Sequence, residues 1–274
     1  KYLLEGNIRD DGSSRFAPAN RWAIFPSASV GWRISEESFF ERLKSIVSEL
    51  KIRGSWGMLG NQNIGVYPYQ ATIATGLNYT FGGQTVDGIA PLNGVNSDIK
   101  WESTTTKDIG LDAVLMDGKI TFTGDYFIRN TSDILLSLPV GNAFGLTAPV
   151  INAGSVQNKG VELMAGYHFR KRDFSFDVNA NVSFIKNEIT SLAGTGPFPN
   201  GSTIQGVGLP INSLYGWVSE GLFQSQADID KHAAQNGMGG PVAPGDIKYK
   251  DLNGDNVIDG KDRQYLGSYF PELT

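Results

Sequence analysis

Between Asp251 and Asp262 the chain places oxygen-bearing side chains at Asp251, Asn253, Asp255, Asp259 and Asp262. Counted from Asp251 these are positions 1, 3, 5, 9 and 12 of a calcium loop of the EF-hand type, and Val257 at position 7 offers its backbone carbonyl. Calcium is a hard cation that prefers a shell of oxygens, and this stretch supplies them densely. Two residues depart from the pattern. Asn256 stands where the loop turns through glycine, and Asp262 stands where a bidentate Glu closes the shell. Asn is among the few residues that tolerate a left-handed backbone, so the turn remains feasible. The spacing predicts one structural Ca2+, without a signalling role because no helix pair flanks the loop. The alternative is an acidic, glycine-rich surface turn without metal.

Little else in the chain is arranged for chemistry. His168 and His232 lie far apart, no nucleophile elbow or metal-binding His pair is present, and Gly206-Val-Gly208 is too short for a phosphate loop. There is no cysteine, which excludes thiol catalysis, Cys-ligated zinc and iron–sulfur clusters. The chain is therefore expected not to be an enzyme. Its net charge is −5, and the one basic cluster is Arg170-Lys171-Arg172, so nucleic acid is not an expected partner. No apolar run is long enough for a transmembrane helix, and the N-terminus lacks a signal-peptide pattern.

The elements that must carry such a loop are strands. In Phe174 to Phe184 the residues Phe174, Phe176, Val178, Ala180, Val182 and Phe184 share one parity, and Ser175, Asp177, Asn179, Asn181 and Ser183 share the other. Side chains alternate across a strand, so one face is apolar and the other polar. Ala28, Val30, Trp32 and Ile34 repeat the split, as do Leu50, Ile52, Trp56 and Met58. Seven such stretches are present, each on the order of 10 residues, the length a tilted strand needs to cross a bilayer. Short links at Asp117-Gly118 and Arg170 to Asp173 alternate with long loops at Asn61 to Lys100 and Asn130 to Lys159, the asymmetry between periplasmic turns and extracellular loops. Glu36 to Leu50 carries the one helical period, with Phe39, Phe40, Leu43, Ile46, Val47 and Leu50, and predicts a short amphipathic helix. The fold class expected is all-β: an antiparallel transmembrane β-barrel wall with long extracellular loops and one short helix. Residues 1–186 are read as seven barrel strands, and 187–274 as a long extracellular region with a possible hairpin at Leu214 to Phe223. Seven strands do not close a wide barrel, and open edges are not tolerated in lipid, so the chain is expected to be a fragment.

Several phrases carry a resemblance: Phe25-Pro-Ser-Ala-Ser-Val-Gly-Trp, Leu50-Lys-Ile-Arg-Gly-Ser-Trp-Gly, Asn152-Ala-Gly-Ser-Val-Gln-Asn-Lys-Gly-Val-Glu-Leu and Gly245-Asp-Ile-Lys-Tyr-Lys-Asp-Leu-Asn-Gly-Asp. Together with Tyr2-Leu-Leu-Glu-Gly-Asn-Ile-Arg they resemble the SusC/RagA family of TonB-dependent outer-membrane transporters. The resemblance covers nearly the whole chain. It implies the later part of a barrel of about 22 strands with a plugged lumen, whose N-terminal plug and last strands have no counterpart here. It also implies a SusD-like surface lipoprotein as partner, a TonB complex acting through the N-terminal region, and import of glycans or peptides across the Gram-negative outer membrane.

Two readings follow. In the first, the wall lines an import path and its apolar parity meets outer-membrane lipid. In the second, the chain is a secreted calcium-stabilised β-sandwich that binds carbohydrate, and the same apolar side chains are buried against a second sheet. Loop aromatics, Tyr67, Tyr69, Tyr79, Phe81, Phe144, Tyr215 and Trp217, either stack on a ligand or pack within their loops. Trp32, Trp56 and Tyr126 fit an interfacial girdle.

Overall fold

A computed structural model describes residues 1–138 and 140–268, so the last six positions of the expected 187–274 region lie outside the described residues. The chain divides into two compact units, one over Lys1–Ala193 and a second beginning at Gly194.

The first unit is built on a seven-stranded antiparallel sheet. Its strands are β1 (Tyr2–Gly12), β2 (Trp22–Arg33), β3 (Val47–Asn61), β4 (Glu102–Leu115), β5 (Ile120–Leu136), β6 (Ile151–Lys171) and β7 (Phe174–Ser191). Each lies beside its neighbours in chain order. This meander is what period-2 segments joined by chain reversals produce, because antiparallel neighbours need no crossover. Strands β5 and β6 reach 17 and 21 residues, well beyond the length a bilayer requires. Strand β7 continues to Ser191, past the end at 186 read from the sequence.

Residues 36–50 depart from expectation. In place of an amphipathic helix there are two 3-10 turns, Ile34–Glu36 and Ser38–Leu43, and β3 begins at Val47. The helical spacing ran across a boundary. Val47 and Leu50 pair with Leu115 and Ala113 of β4, and a ladder partner outweighs a weak local preference at a β-branched Ile46-Val47 pair. Phe40 alone of the expected apolar stripe is buried, while Phe39 and Leu43 are exposed.

At the loop end of the sheet, Phe16, Phe25, Ile99 and Trp101 form a core cluster, with Met58, Tyr69 and Val150 packed against it. Phe16 and Phe25 lie 5.2 and 5.6 Å from the Trp101 ring. Two long loops are tied to one another: Thr147 donates its N–H to the Leu92 carbonyl at 2.9 Å, and Gly94 donates to Thr147 at 2.9 Å. Asn152 bridges strand and loop, its Nδ2 donating to the carbonyls of Lys100 and Asp133 and its Oδ1 accepting from the Lys100 N–H.

The second unit has short strands. Phe198–Asn200, Thr203–Gln205, Ser213–Trp217 and Arg263–Gly267 form a four-stranded sheet, and Ser219–Leu222 pairs with Ile247–Tyr249. The hairpin expected at Leu214 to Phe223 is therefore not one, because its two arms pair into different sheets. Helix α1 (Gln226–Lys231) starts at Ser225, whose side chain accepts from the Asp228 N–H. Phe223 and Ile258 are almost fully buried, and Ile204 nearly so. Gln235 acts as a strand partner, donating to the Ile247 carbonyl at 2.7 Å and accepting from the Tyr249 N–H at 3.0 Å.

Candidate functional site

The register of the seven strands sorts their side chains onto two faces. One row runs Leu4, Val30, Gly54, Ile109, Tyr126, Val161, Phe184, and the next toward the turns runs Tyr2, Trp32, Ile52, Leu111, Gly124, Leu163, Val182. No residue of these rows is buried, and this parity is widely exposed: Leu4 is 84% exposed, Phe184 49% and Val178, farther along β7 on the same parity, 55%. The sandwich expectation is thereby overturned, since a sandwich buries this parity against a second sheet. From Phe174 to Phe184 the apolar parity extends 184 − 174 = 10 residues, about 34 Å at ~3.4 Å per residue. A tilt of about 40° reduces this to roughly 26 Å of height, close to the ~25 Å apolar band of an outer-membrane barrel. At the turn end the band closes on aromatics. Phe169 lies 6.1 Å from Phe174 and 5.4 Å from Phe176, and Tyr167 lies 5.8 Å from Phe176.

The opposite face holds an ion-pair network. Arg53 on β3 reaches across two strands: its guanidinium lies 3.2 Å from Asp108, 3.2 Å from Asp112 and 2.6 Å from Asp125. Lys51 adds a second bridge to Asp112 at 3.1 Å. Gly110 lies between Arg53 and Asp125 in the register, and a Cβ there would come 2.6 Å from the guanidinium carbon and clash with the Asp125 carboxylate, so the side chains meet over bare backbone. Glu162, the cross-strand neighbour of Asp125, adds a further carboxylate. In a barrel the face away from lipid lines the lumen, and the network gives that lining an acidic surplus. Sequence reading missed it. The polar parity of these residues was visible, but which carboxylate meets which cation is set by register. His168 shares this face, its Nδ1 2.6 Å from the Asp177 carboxylate opposite.

The loop aromatics divide. Tyr79 and Phe81 stand exposed on a small hairpin, Tyr79–Phe81 against Gln84–Val86. Tyr69 packs on the loop-end core. Tyr215 and Trp217 lie 4.5 and 5.0 Å from the Arg263 guanidinium, so both pack within their own unit.

The structure places all six expected calcium ligands in one loop and gives the five oxygen-bearing side chains among them backbone partners. The Asp251 carboxylate accepts from Gly254 at 2.7 Å and Asn256 at 2.8 Å, Asn253 accepts from Asp255, Asp255 from Val257, and Asp259 from Lys261. Asp262 is fully buried and accepts from Leu252 at 2.9 Å, Asn253 at 3.4 Å and Asp259 at 2.8 Å. Those N–H groups, first that of Asp259, hold its carboxyl below the usual carboxylate range, against the opposing effect of burial. Asn256 takes the left-handed conformation, φ 64°, that the turn demands. Among the described residues no group of three or more His, Cys, Asp or Glu side chains is gathered closely enough to hold a metal ion. As the side chains stand, the loop is closed by its own Asx-type bonds, and the Lys261 ammonium lies about 4 Å from Asp255 and Asp259.

The fold and its two-faced wall match known proteins along the whole chain. The family model described as TonB dependent receptor-like, beta-barrel, matches residues 1–270. A TonB-dependent receptor of Formosa agariphila is 32% identical over 282 residues, covering 100% of this chain and 28% of that protein. The TonB-dependent receptor SusC of Bacteroides thetaiotaomicron is 38% identical over 201 residues, covering 71% of this chain and 20% of its own length. Among solved structures, the RagAB peptide importer in its closed-closed state superposes with a TM-score of 0.80 at 25% identity, covering 99% of this chain and 29% of the matched one. The chain thus spans under a third of the length of these relatives. It belongs to the TonB-dependent receptor-like β-barrel family, of the SusC/RagA type, and its seven strands are a section of an outer-membrane barrel wall.

Proposed function

We propose that this wall belongs to an importer that takes oligomeric nutrients, glycans or peptides, across the outer membrane together with a SusD-like lipoprotein, driven by a TonB complex acting on the N-terminal region of the whole protein. The observation that carries the reading is the separation of faces: uncovered apolar side chains on one parity and the Arg53 network on the other. Such a wall performs no bond chemistry. It excludes lipid on one side, offers hydrogen-bonding groups on the other, and carries at its loop end the knitted loops that meet substrate and partner. Similarity to SusC and to the RagAB peptide importer supports import of an oligomer and leaves two substrate classes to compare. The test is uptake of labelled oligopeptides and oligosaccharides by cells carrying or lacking the complete transporter. One class should enter only with the transporter, and entry should stop when the proton-motive force is collapsed. Uptake of both classes that is equal with and without the transporter would sink the reading.

A second element is a calcium ion in the Asp251–Asp262 loop. Its support is the confinement of all six candidate ligands to one loop and the left-handed turn at Asn256. Binding requires carboxylates now engaged with backbone N–H groups to converge through side-chain rotation. Calcium titration of the complete transporter, followed by proteolysis at residues 245–263, checks it. Protection that is lost on chelation and in D251A/D255A supports the ion, and cleavage indifferent to calcium returns the loop to a self-capped turn.

A further inference from the structure

The apolar face of the wall ends differently at its two edges. Toward the turns it closes on aromatic rings, but toward the loops it ends on a row of lysines. In the register, Lys107 pairs with Ile128, Ile128 with Lys159, and Lys159 with Lys186. All three lysines therefore share the lipid-facing parity. Immediately below them lie Ile109, Tyr126, Val161 and Phe184, and immediately above lie Thr105, Asn130, Gln157 and Glu188. The row thus marks the border between the apolar band and the polar loop end.

Two features make this row more than solvated charge. Lys159 and Lys186 are directly opposite on neighbouring strands, an arrangement of like charges that destabilises a sheet. Among the described residues the one acidic group on this face near them is Glu188, 3.4 Å from Lys186, which leaves the row with a surplus of two positive charges, three lysines against one glutamate. Lysines also extend along apolar surface while keeping the ammonium at the headgroup level. Strands spaced by about 4.8 Å place the outer two lysines roughly 14 Å apart. Short turns identify the opposite end as periplasmic, so the row stands at the outer leaflet.

We propose that Lys107, Lys159 and Lys186 bind the phosphorylated headgroup of an outer-leaflet glycolipid, with its acyl chains lying along Ile109, Tyr126, Val161 and Phe184. The proposal rests on the barrel-wall reading. Charge complementarity selects an anion, and the apolar band directly beneath selects one that carries acyl chains. The lipid neutralises the opposed lysines and fixes the height of the wall beneath its loops.

The test uses the complete transporter in detergent, with bisphosphorylated lipid A as probe. Wild type should bind it, K107Q/K159Q/K186Q should lose at least about tenfold in affinity, and R129Q, next in sequence to Ile128 of the row but on the other face, should bind as wild type does. Inorganic phosphate at the same concentration should not displace the lipid. Unchanged affinity in the triple variant overturns the proposal, and displacement by free phosphate assigns the row to a soluble anion instead. Heat-modifiable migration on gels separates the two levels of failure. A folded barrel that does not bind the probe ends the lipid site alone, whereas loss of heat modifiability in wild type ends the wall reading as well.

Discussion

The wall and the unit that follows it solve burial in opposite senses. In the seven-stranded wall, strands of 11 to 21 residues hold one another by long ladders, and large apolar side chains such as Leu4, Ile8 and Val178 stand uncovered while ions pair on the other face. In the unit beginning at Gly194 strands of 3 to 5 residues are too short to stand alone, and Phe223, Ile258 and Ile204 are turned inward. The first is written for lipid and the second for water. One chain therefore carries two hydrophobic codes, and a substitution should be judged by which one it enters.

The largest effect expected is inside the water-facing unit. Phe223 is 2% exposed, so F223A should cost that unit about 3–5 kcal/mol. Limited proteolysis of the complete protein should show new cleavage within 194–268 while the barrel remains heat-modifiable. Cleavage spreading equally into the wall strands would break the comparison.

In the wall the rule reverses. Val178 is exposed near the middle of the apolar run, and V178R should cost roughly 2–4 kcal/mol if that site is near the bilayer midplane. N179R, on the opposite parity, should be mild. Refolding into vesicles with denaturant titration measures both, and equal midpoints would show that the faces are wrongly assigned.

A smaller loss is expected from R53A, which removes the shared cation from Asp108, Asp112 and Asp125. Asp112 keeps Lys51, but Asp108 and Asp125 are left without a cation, which should lower barrel stability by about 1–3 kcal/mol, and D125N should restore part of it. If R53A and R53A/D125N unfold at the wild-type temperature, the network contributes nothing to the wall.

The last prediction concerns pH. The Asp262 carboxyl is held below its ordinary value, so the folded state binds its proton later than the unfolded chain does. Its contribution is present above the unfolded value, about pH 4, and is lost as pH falls through the lower folded value. Amide exchange at Leu252 and Asp259 should rise on acidification through that window and should lose this dependence in D262N. Exchange that is flat with pH in wild type would remove Asp262 as the acid-sensitive element of its unit.

The wall can be read from the residues alone. Period-2 alternation is local, lipid demands it on every crossing, and each of the seven strands was therefore legible from its own residues, as was the family from short phrases around them. The loop Asp251–Asp262 was equally visible as a pattern, because its partners lie within a dozen residues of each other. Other features depend on partners distant in the chain. Residues 46–50 show a helical spacing, and β3 starts there because Leu115 and Ala113 of β4 provide a ladder. Arg53 finds Asp108 and Asp125 55 and 72 residues away, a meeting that register alone arranges. Asp262, expected to close a shell of ligands, is buried and caps three backbone N–H groups. Composition names the donors within a loop, but only packing settles which acceptor each N–H will meet.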